Sequence, residues 1–216
     1  MKGIYFKGGT AINKILLNYA RLSEDVDFSI GRNLEDIKTE ITQIINGKKI
    51  FGSLTKDKDV EGFTRLIVPY LELGKGTVFI DLNKRGRLLT RPEMRSIHHF
   101  YPTIPKFMFP CLSQKEMIAE KMAATIGRNK PRDHFDLYML LKNHYEIDLN
   151  MVKKKCEQSG YEFSIVRMFN RARKLKKRWD EDMAALLSAQ VSFLEVMTTL
   201  AKHFNLKEEK EKLKDG

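Results

Sequence analysis

The chain has 216 residues with a hydrophobic content of 42%, enough at roughly 100–200 residues per domain for one buried core and a helical extension. No run approaches the about 18 apolar residues of a membrane helix and the first residues are too polar for a signal peptide, so we expect a cytoplasmic protein. The net charge of +11 favours a polyanionic partner such as nucleic acid, although a lysine-rich protein can also be basic for solubility alone.

The two cysteines, Cys111 and Cys156, have neither the CxxC spacing nor the histidine spacing of a zinc site. Two cysteines in a cytoplasmic chain do not predict a disulfide framework either. We therefore expect both to be buried, inert thiols.

The first predicted elements flank a pair of glycines. Residues 4–6 form a short apolar strand, Gly8 and Gly9 follow, and Thr10 has the residue type of a helix N-cap. Glycines let backbone amides approach a ligand closely, and a helix start presents free N–H groups to an anion. This segment is predicted to hold the β and γ phosphates of a nucleotide.

Three carboxylates are predicted to lie on neighbouring strands. Residues 25–30 alternate between apolar and polar side chains, which puts Asp25 and Asp27 on one face of a strand. An apolar stripe predicts a structural helix over 34–46. Residues 63–73 and 77–82 read as an antiparallel hairpin around the turn 74–76, and Asp81 is a third carboxylate on its second strand.

Residues 84–110 contain four of the six prolines and are predicted to be an irregular connection with one short strand. The pair His98 and His99 resembles a metal site, but adjacent histidines on a strand point apart and no third ligand is spaced nearby. We therefore do not predict a metal at this pair.

Two helices follow that carry charged residues at helical spacing. The first is predicted from Ser113 to Gly127 and places Lys121, Thr125 and Arg128 along one stripe. The second begins at Pro131, and its pair Arg132 and Asp136 could be no more than a surface salt bridge.

The remainder is predicted to be helical, with segments over 150–158, 164–179 and 181–204 and a charged, disordered tail from 207 to 216. Its densest basic cluster contains no acidic residue. This is more positive charge than an ordinary solvated helix face carries, so the cluster is predicted to bind RNA. The basic cluster comprises Arg167, Arg171, Arg173, Lys174, Lys176, Lys177 and Arg178.

Five motifs in this order resemble the nucleotidyltransferase toxins of the AbiE type, which are related to the MenT toxins. The resemblance covers about residues 4–141, and the helical remainder fits only in character. The motifs are Phe6-Lys-Gly-Gly-Thr-Ala11, Arg21-Leu-Ser-Glu-Asp-Val-Asp-Phe28, Phe79-Ile-Asp-Leu82, Glu116-Met-Ile-Ala-Glu-Lys-Met-Ala-Ala124 with Arg128, and Arg132-Asp-His-Phe-Asp-Leu137.

This resemblance implies an α+β fold in which a polymerase-β-like nucleotidyltransferase core with a mixed sheet, in residues 1–110, precedes a helical C-terminal domain in 111–206. It implies the toxin of a type IV toxin–antitoxin pair, with a cognate antitoxin as partner. The implied activity is transfer of NMP from an NTP to the 3′ end of tRNA, which blocks translation. Relatives usually carry helices ahead of the glycine motif, whereas only six residues precede Lys7 here.

Nucleotidyl transfer needs metal ions that neutralise the attacking and leaving oxygens. Asp25 and Asp27 are predicted to bind Mg²⁺ or Mn²⁺, and Asp81 to complete the site as ligand or base. Lys121 is predicted to meet the triphosphate with help from Arg128, and the resemblance makes Asp133 an essential acid. The predicted nucleotide-binding residues are Lys7, Gly8, Gly9, Thr10, Ser23, Lys121, Arg128, Arg132 and Asp136.

Two alternatives remain open at this point. One is a nucleotidyltransferase that modifies a small molecule or a protein side chain, which the charge of +11 disfavours. The other is a non-catalytic RNA-binding module, which the three carboxylates disfavour.

Overall fold

A computed structural model of the chain describes residues 2–70, 76–128, 130–172 and 174–212. Its strands are β1 (Ile4–Lys7), β2 (Asp25–Ile30), β3 (Thr55–Val60), β4 (Phe63–Tyr70), β5 (Gly76–Asn83), β6 (Glu93–Ser96) and β7 (Met108–Cys111). Its helices are α1 (Gly8–Ile15), α2 (Leu34–Asn46), α3 (Gln114–Gly127), α4 (Pro131–Lys142), α5 (Leu149–Gln158), α6 (Ile165–Ala172), α7 (Trp179–Ala184), α8 (Phe193–His203) and α9 (Leu206–Lys212).

The seven strands form one mixed sheet in the order β3-β4-β5-β2-β1-β7-β6. The pairs β2–β5 and β1–β7 are parallel, and the other neighbours are antiparallel. β2 therefore lies at the centre, between β1 and β5. The carboxylates of β2 are thus flanked by the strand that leads into the glycine pair and by the strand that carries Asp81.

The chain divides into two compact units, and the sheet belongs to the first, residues Met1–Ile15 and Ser23–Ser113. Its core forms where the apolar stripe of α2, with Ile37, Ile41 and Ile45, packs with buried strand residues such as Leu66 and Leu82. Asn33 caps this helix by accepting hydrogen bonds from two backbone N–H groups of the first turn. The predicted helix over 34–46 is confirmed.

The second unit comprises Leu16–Leu22 and Gln114–Gly216 and is helical. Its core contains buried side chains from α3 through α8, among them Met122, Phe135, Trp179 and Leu200. The indole N–H of Trp179 donates to the carbonyl of Val191 at 2.8 Å. The boundary lies close to the predicted 110/111, but the helical unit also takes the short segment 16–22 from the N-terminal part of the chain.

The C-terminal helices differ from the predictions. The segment predicted as one helix over 181–204 is interrupted between α7 and α8, where Ser192 caps α8 by accepting from the N–H of Glu195. Residues 207–212, predicted as part of the disordered tail, lie in α9, in which Lys212 pairs with Glu208 and Glu209 one turn earlier. Residues 213–216 lie outside the described residues.

The α+β class with a mixed sheet is confirmed. Among the described helices, none combines the length and apolarity needed to cross a membrane. Both cysteines are buried free thiols, as predicted, and burial raises the pKa of Cys111 to about 12 and that of Cys156 to about 11. Such thiols stay protonated at neutral pH and are poor nucleophiles.

Candidate active site

The glycine pair lies at the junction of β1 and α1. Gly8 has a φ of +80°, which residues with side chains rarely adopt. A Cβ at this position would lie 2.1 Å from Oδ2 of Asp27. Two features therefore require glycine at position 8: the positive φ of its backbone, and the carboxylate of Asp27, which leaves no space for a side chain.

Thr10 is not the N-cap of α1, because the helix begins two residues earlier at Gly8. Its buried hydroxyl donates to the backbone carbonyl of Asp25 and is hydrogen-bonded to Oγ of Ser23 at 2.8 Å. Thr10 and Ser23 thus fasten the first turn of the helix to the start of β2. The predicted phosphate-binding turn and the predicted metal-binding strand are held together by these two side chains.

The three predicted carboxylates occupy adjacent positions in the sheet. Asp27 of β2 is the register partner of Asp81 of β5, and Asp25 is the partner of Phe79. Neighbouring strands lie about 4.8 Å apart, so in-register side chains share a face and are direct neighbours. The sheet therefore brings Asp27 and Asp81 together from positions 54 residues apart in the sequence.

Arg65 is a functional candidate that sequence reasoning missed. It is the register partner of Asp81 on β4, and its Nε and Nη2 donate to the two carboxylate oxygens at 2.7 and 2.6 Å. Its guanidinium lies over the ring of Phe79, 5.3 Å from the centroid. The hydrogen bond to Asp81 and the charges of Asp81 and Asp25 raise the pKa of Arg65 despite its partial burial.

A sequence signal for Arg65 existed. It is an arginine in the apolar strand that was predicted to pair with the strand of Asp81. The register that makes Arg65 the partner of Asp81 was not predicted from the sequence, and residues 74 and 75 of the predicted turn lie outside the described residues.

The described part of the first unit contains carboxylates suited to a divalent cation, but they are not grouped into a complete metal site. Among the described residues, no three His, Cys, Asp or Glu side chains are grouped to hold a metal ion. Carboxylate oxygens are the donors that Mg²⁺ prefers, and this ion is usually bound by one or two carboxylates together with substrate phosphates and water. Asp25 and Asp27 fit a cation that arrives with a nucleotide, while both oxygens of Asp81 are engaged by Arg65.

The His98–His99 pair forms no part of this site. The ring of His99 instead packs nearly parallel to Tyr101 and Phe107, with centroids 6.4 and 6.0 Å apart.

In the second unit, the predicted residues Lys121, Arg128, Asp133 and Asp136 form a chain of alternating charges with Arg21, and the two carboxylates of this chain are buried. The ammonium of Lys121 is 2.9 Å from Oδ1 of Asp133 and 2.9 Å from Oδ2 of Asp136. Arg128 donates to both oxygens of Asp133 at 2.8 and 3.0 Å. Arg21 donates to both oxygens of Asp136 at 2.6 and 2.7 Å.

Three cations, Arg21, Lys121 and Arg128, therefore contact the two carboxylates. Burial by itself would raise the pKa of Asp133 and Asp136. In Asp133 the charges of Lys121 and Arg128 together outweigh burial, and in Asp136 the charges of Lys121 and Arg21 do so. The pKa values of both carboxyl groups are therefore lowered. Burial likewise lowers the pKa of Lys121, and the two aspartates outweigh it, so that this pKa is raised. All three groups are charged at neutral pH.

The burial of Asp136 bears on the surface salt bridge considered for Arg132 and Asp136. The carboxylate of Asp136 is fully buried and is paired with Arg21 and Lys121, so it is not part of a surface salt bridge. Arg21 was quoted in a motif without a role. Arg21 can pair with Asp136 because the segment 16–22 packs within the helical unit. No local sequence pattern predicts this packing.

The predicted RNA-binding cluster is heterogeneous. Lys174, Lys176 and Lys177 are exposed. Arg171 donates to the carbonyl of Gly127 at 2.7 Å, and Arg178 pairs with Asp182 one turn later. Arg173 lies outside the described residues. The exposed lysines are therefore the part of the cluster best suited to a phosphate backbone.

A family model for the nucleotidyl transferase AbiEii toxins of type IV toxin–antitoxin systems matches residues 1–205. No curated protein matches the chain.

Solved structures share the fold at low sequence identity. MenT4, a nucleotidyltransferase toxin from Mycobacterium tuberculosis H37Rv, is 20% identical with a TM-score of 0.65, over 92% of this chain and 74% of that one. JHP933 from Helicobacter pylori is 19% identical with a TM-score of 0.57, over 99% and 89%. A putative nucleotidyltransferase from H. pylori is 21% identical with a TM-score of 0.58, over 98% and 89%.

Proposed function

Because the chain belongs to the AbiEii nucleotidyltransferase toxins of type IV toxin–antitoxin systems, we propose that it transfers NMP from an NTP to the 3′ end of tRNA. The modified RNA would no longer serve translation. The observation that carries this proposal is the position of Asp27, which lies against Gly8 on one side and beside Asp81 in the sheet on the other. A phosphate-binding turn and two carboxylates therefore meet at one point.

The first unit supplies the nucleotide site. The backbone N–H groups at Gly8 and Gly9, at the start of α1, bind the β and γ phosphates, and Lys7 adds a positive charge beside them. Thr10 and Ser23 hold this turn against β2 through their hydrogen bonds. Asp25 and Asp27 hold a divalent cation, Mg²⁺ or Mn²⁺.

When bound, the cation neutralises charge on the phosphate and on the attacking and leaving oxygens. Asp81 acts beside the acceptor hydroxyl, as a further ligand or as the base that accepts its proton. For either role the carboxylate has to be released from Arg65. Arg65 is then free to meet the negative charge of the incoming substrate.

Lys121, Arg128, Arg132 and Asp136 keep their predicted role in nucleotide binding as part of this proposal, and Asp133 keeps its predicted role as an essential acid. Arg128 is the cation best placed to meet a phosphate, because 54% of its side chain is exposed. Lys121 is almost completely buried between Asp133 and Asp136, so its charge holds these two carboxylates in position.

RNA is the acceptor class that the charge favours. The net charge of +11 and the exposed lysines at 174, 176 and 177 are suited to a phosphate backbone, and each neutralised phosphate releases a condensed counterion. A cognate antitoxin is the partner that membership of the family implies.

The experiment is a labelling reaction with purified protein, Mg²⁺, each of the four α-labelled NTPs, and either tRNA or total RNA. We expect label on tRNA with the wild-type protein and none with Asp27→Ala. Asp36→Ala is the matched control, since this aspartate is exposed on α2 of the same unit, and it should label as the wild type does.

The outcome separates the alternatives. Label on protein or on a small molecule instead of RNA would assign a different acceptor. Equal labelling by Asp27→Ala would remove the site assignment. Absence of label together with undiminished RNA binding would favour a non-catalytic RNA-binding module.

A further inference from the structure

The edge of the sheet farthest from β3 carries a concentration of exposed apolar side chains. There, β6 and β7 form an antiparallel pair whose connection, residues 97–107, extends the hairpin; we call residues 93–111 the edge hairpin. Phe100 is 73% exposed and Tyr101 is 62% exposed. The six large apolar side chains of the edge hairpin that are exposed are Met94, Phe100, Tyr101, Ile104, Phe107 and Met108.

The same region carries more cations than carboxylates. Residues 91–108 contain three, Arg91, Arg95 and Lys106, against one carboxylate, Glu93, which is 2.6 Å from Arg95. Arg91 is exposed just before β6, and Lys106 is exposed near the end of the connection. Exposed rings beside the exposed cations Arg91 and Lys106 match a polyanion that also offers flat apolar faces.

The rings are already arranged for stacking. His99 lies at interplanar angles of 23° to Tyr101 and 19° to Phe107, so these rings share nearly one orientation. The base of the hairpin is fixed by buried Ile97, whose N–H donates to the carbonyl of Phe107 at 3.1 Å. A supported stack of rings beside phosphate-binding cations is the usual surface for single-stranded nucleic acid.

We propose that the edge hairpin binds single-stranded RNA, with bases stacked on Phe100 and Tyr101 and phosphates contacted by Arg91 and Lys106. This inference rests on the proposed function, since the substrate of a 3′-end nucleotidyltransferase presents an unpaired end. Duplex RNA is a poor ligand for the hairpin, because its bases are stacked on each other and offer no free face. The hairpin thus selects acceptors by their single-stranded character.

The test is fluorescence anisotropy of the full-length protein with a labelled single-stranded RNA of about eight nucleotides, a typical site size for one such surface. We expect Phe100→Ala/Tyr101→Ala to weaken binding about tenfold or more, because stacking contributes about 1–3 kcal/mol per base. Leu194→Ala is the matched control: this side chain is also 73% exposed but lies on α8 of the helical unit. It should bind RNA as the wild type does.

Salt titration separates the two kinds of contact. The aromatic double variant should keep the wild-type slope of log K against log salt, because no phosphate contact is removed. Lys106→Gln should lower the magnitude of the slope by about 0.7, the value for one phosphate contact on a single strand. Thermal unfolding should be unchanged in every variant, since all the substituted side chains are exposed.

Equal affinity of the double variant and the wild type for single-stranded RNA would overturn the inference, as would an equal loss for single-stranded and duplex RNA. Unchanged RNA binding with loss of a protein partner would assign the hairpin to that partner instead. The proposed function is judged separately by label transfer in the wild type. A wild type that labels RNA while the variants bind normally would refute only the role of the hairpin.

Discussion

Arg65 and Asp81 face each other across the β4–β5 pair and are joined by two parallel hydrogen bonds of 2.7 and 2.6 Å. The guanidinium of Arg65 therefore engages both oxygens of the carboxylate that the proposed mechanism requires. It also interacts electrostatically with Asp25. Arg65 thus places a positive charge beside these acidic residues.

Removing this charge should strengthen divalent cation binding. In Arg65→Gln the carboxylates repel one another without compensation, and we expect Mn²⁺ to bind threefold to tenfold more tightly, about 0.7–1.4 kcal/mol. Titration of the nucleotide-free protein with Mn²⁺, followed by electron paramagnetic resonance, measures this directly. Arg65→Lys keeps the charge and should stay near the wild type; an affinity for Mn²⁺ that is unchanged in Arg65→Gln would contradict the competition between Arg65 and the metal.

A methyl group at Gly8 should abolish activity. Its Cβ would overlap the carboxylate of Asp27, and displacing a reacting group by about 1 Å can cost about 100-fold in rate. Gly160→Ala is the control, because Gly160 has a similar φ of +76° but nothing within 4 Å of the added Cβ. Both variants should lose about 1 kcal/mol from backbone strain, yet only Gly8→Ala should lose label transfer. Comparable activities in the two variants would show that Asp27 does not need its present position.

Arg21 should tolerate no replacement by lysine. Its fork binds both oxygens of buried Asp136, and its Nη1 donates to the carbonyl of Leu22 at 2.7 Å. A lysine cannot reproduce this geometry, so we expect Arg21→Lys to lower the free energy of unfolding by about 2–3 kcal/mol. Arg178→Lys alters an exposed pair with Asp182 and should cost less than about 0.5 kcal/mol. Urea denaturation compares them, and equal costs would indicate that Asp136 finds another partner.

The helical unit should lose stability in acid. The pKa values of Asp133 and Asp136 are lowered in the folded protein, so these groups bind protons more weakly than in the unfolded chain. Their stabilisation is complete above the unfolded pKa of about 3.9 and is lost as the pH falls below it. We expect the free energy of unfolding to decline from about pH 5 downward.

The comparison that isolates this effect is between Asp133→Asn and Asp180→Asn. The first removes a buried titrating group and should show a shallower decline, whereas Asp180 is exposed on α7 and its variant should follow the wild type. Parallel pH profiles for all three proteins, obtained by urea denaturation at each pH, would exclude Asp133 as a source of acid sensitivity.

The exposed lysines of the helical unit should contribute to RNA affinity through charge alone. We expect Lys174→Glu/Lys176→Glu/Lys177→Glu to weaken RNA binding and to reduce its salt dependence while leaving the NTP-induced rise in melting temperature intact. Arg171 is unsuitable for this test, since its guanidinium caps a carbonyl of α3. An RNA affinity equal to that of the wild type across the salt titration would show that these lysines do not touch RNA.

Elements with a strong apolar period were predictable. The stripe of isoleucines gave α2 with its observed bounds, and Pro131 marked the start of α4 because proline fits the first turn of a helix. β3 was missed because all of its residues are exposed and its sequence, Thr-Lys-Asp-Lys-Asp-Val, lacks apolar alternation. The irregular region predicted over 84–110 contains two short strands, which tertiary pairing stabilises more than local preference does.

The sequence by itself determined which chemical groups are available: the glycine pair, the carboxylates on alternating positions of β2, the third carboxylate at Asp81 and the spacing of Lys121 and Arg128. It could do so because periodicity and residue type act locally. Only the tertiary structure decided which charges neutralise one another, pairing Asp81 with Arg65 and Asp136 with Arg21 over separations of 16 and 115 residues. Strand register and helix packing set these pairs, and both depend on contacts distant in the chain.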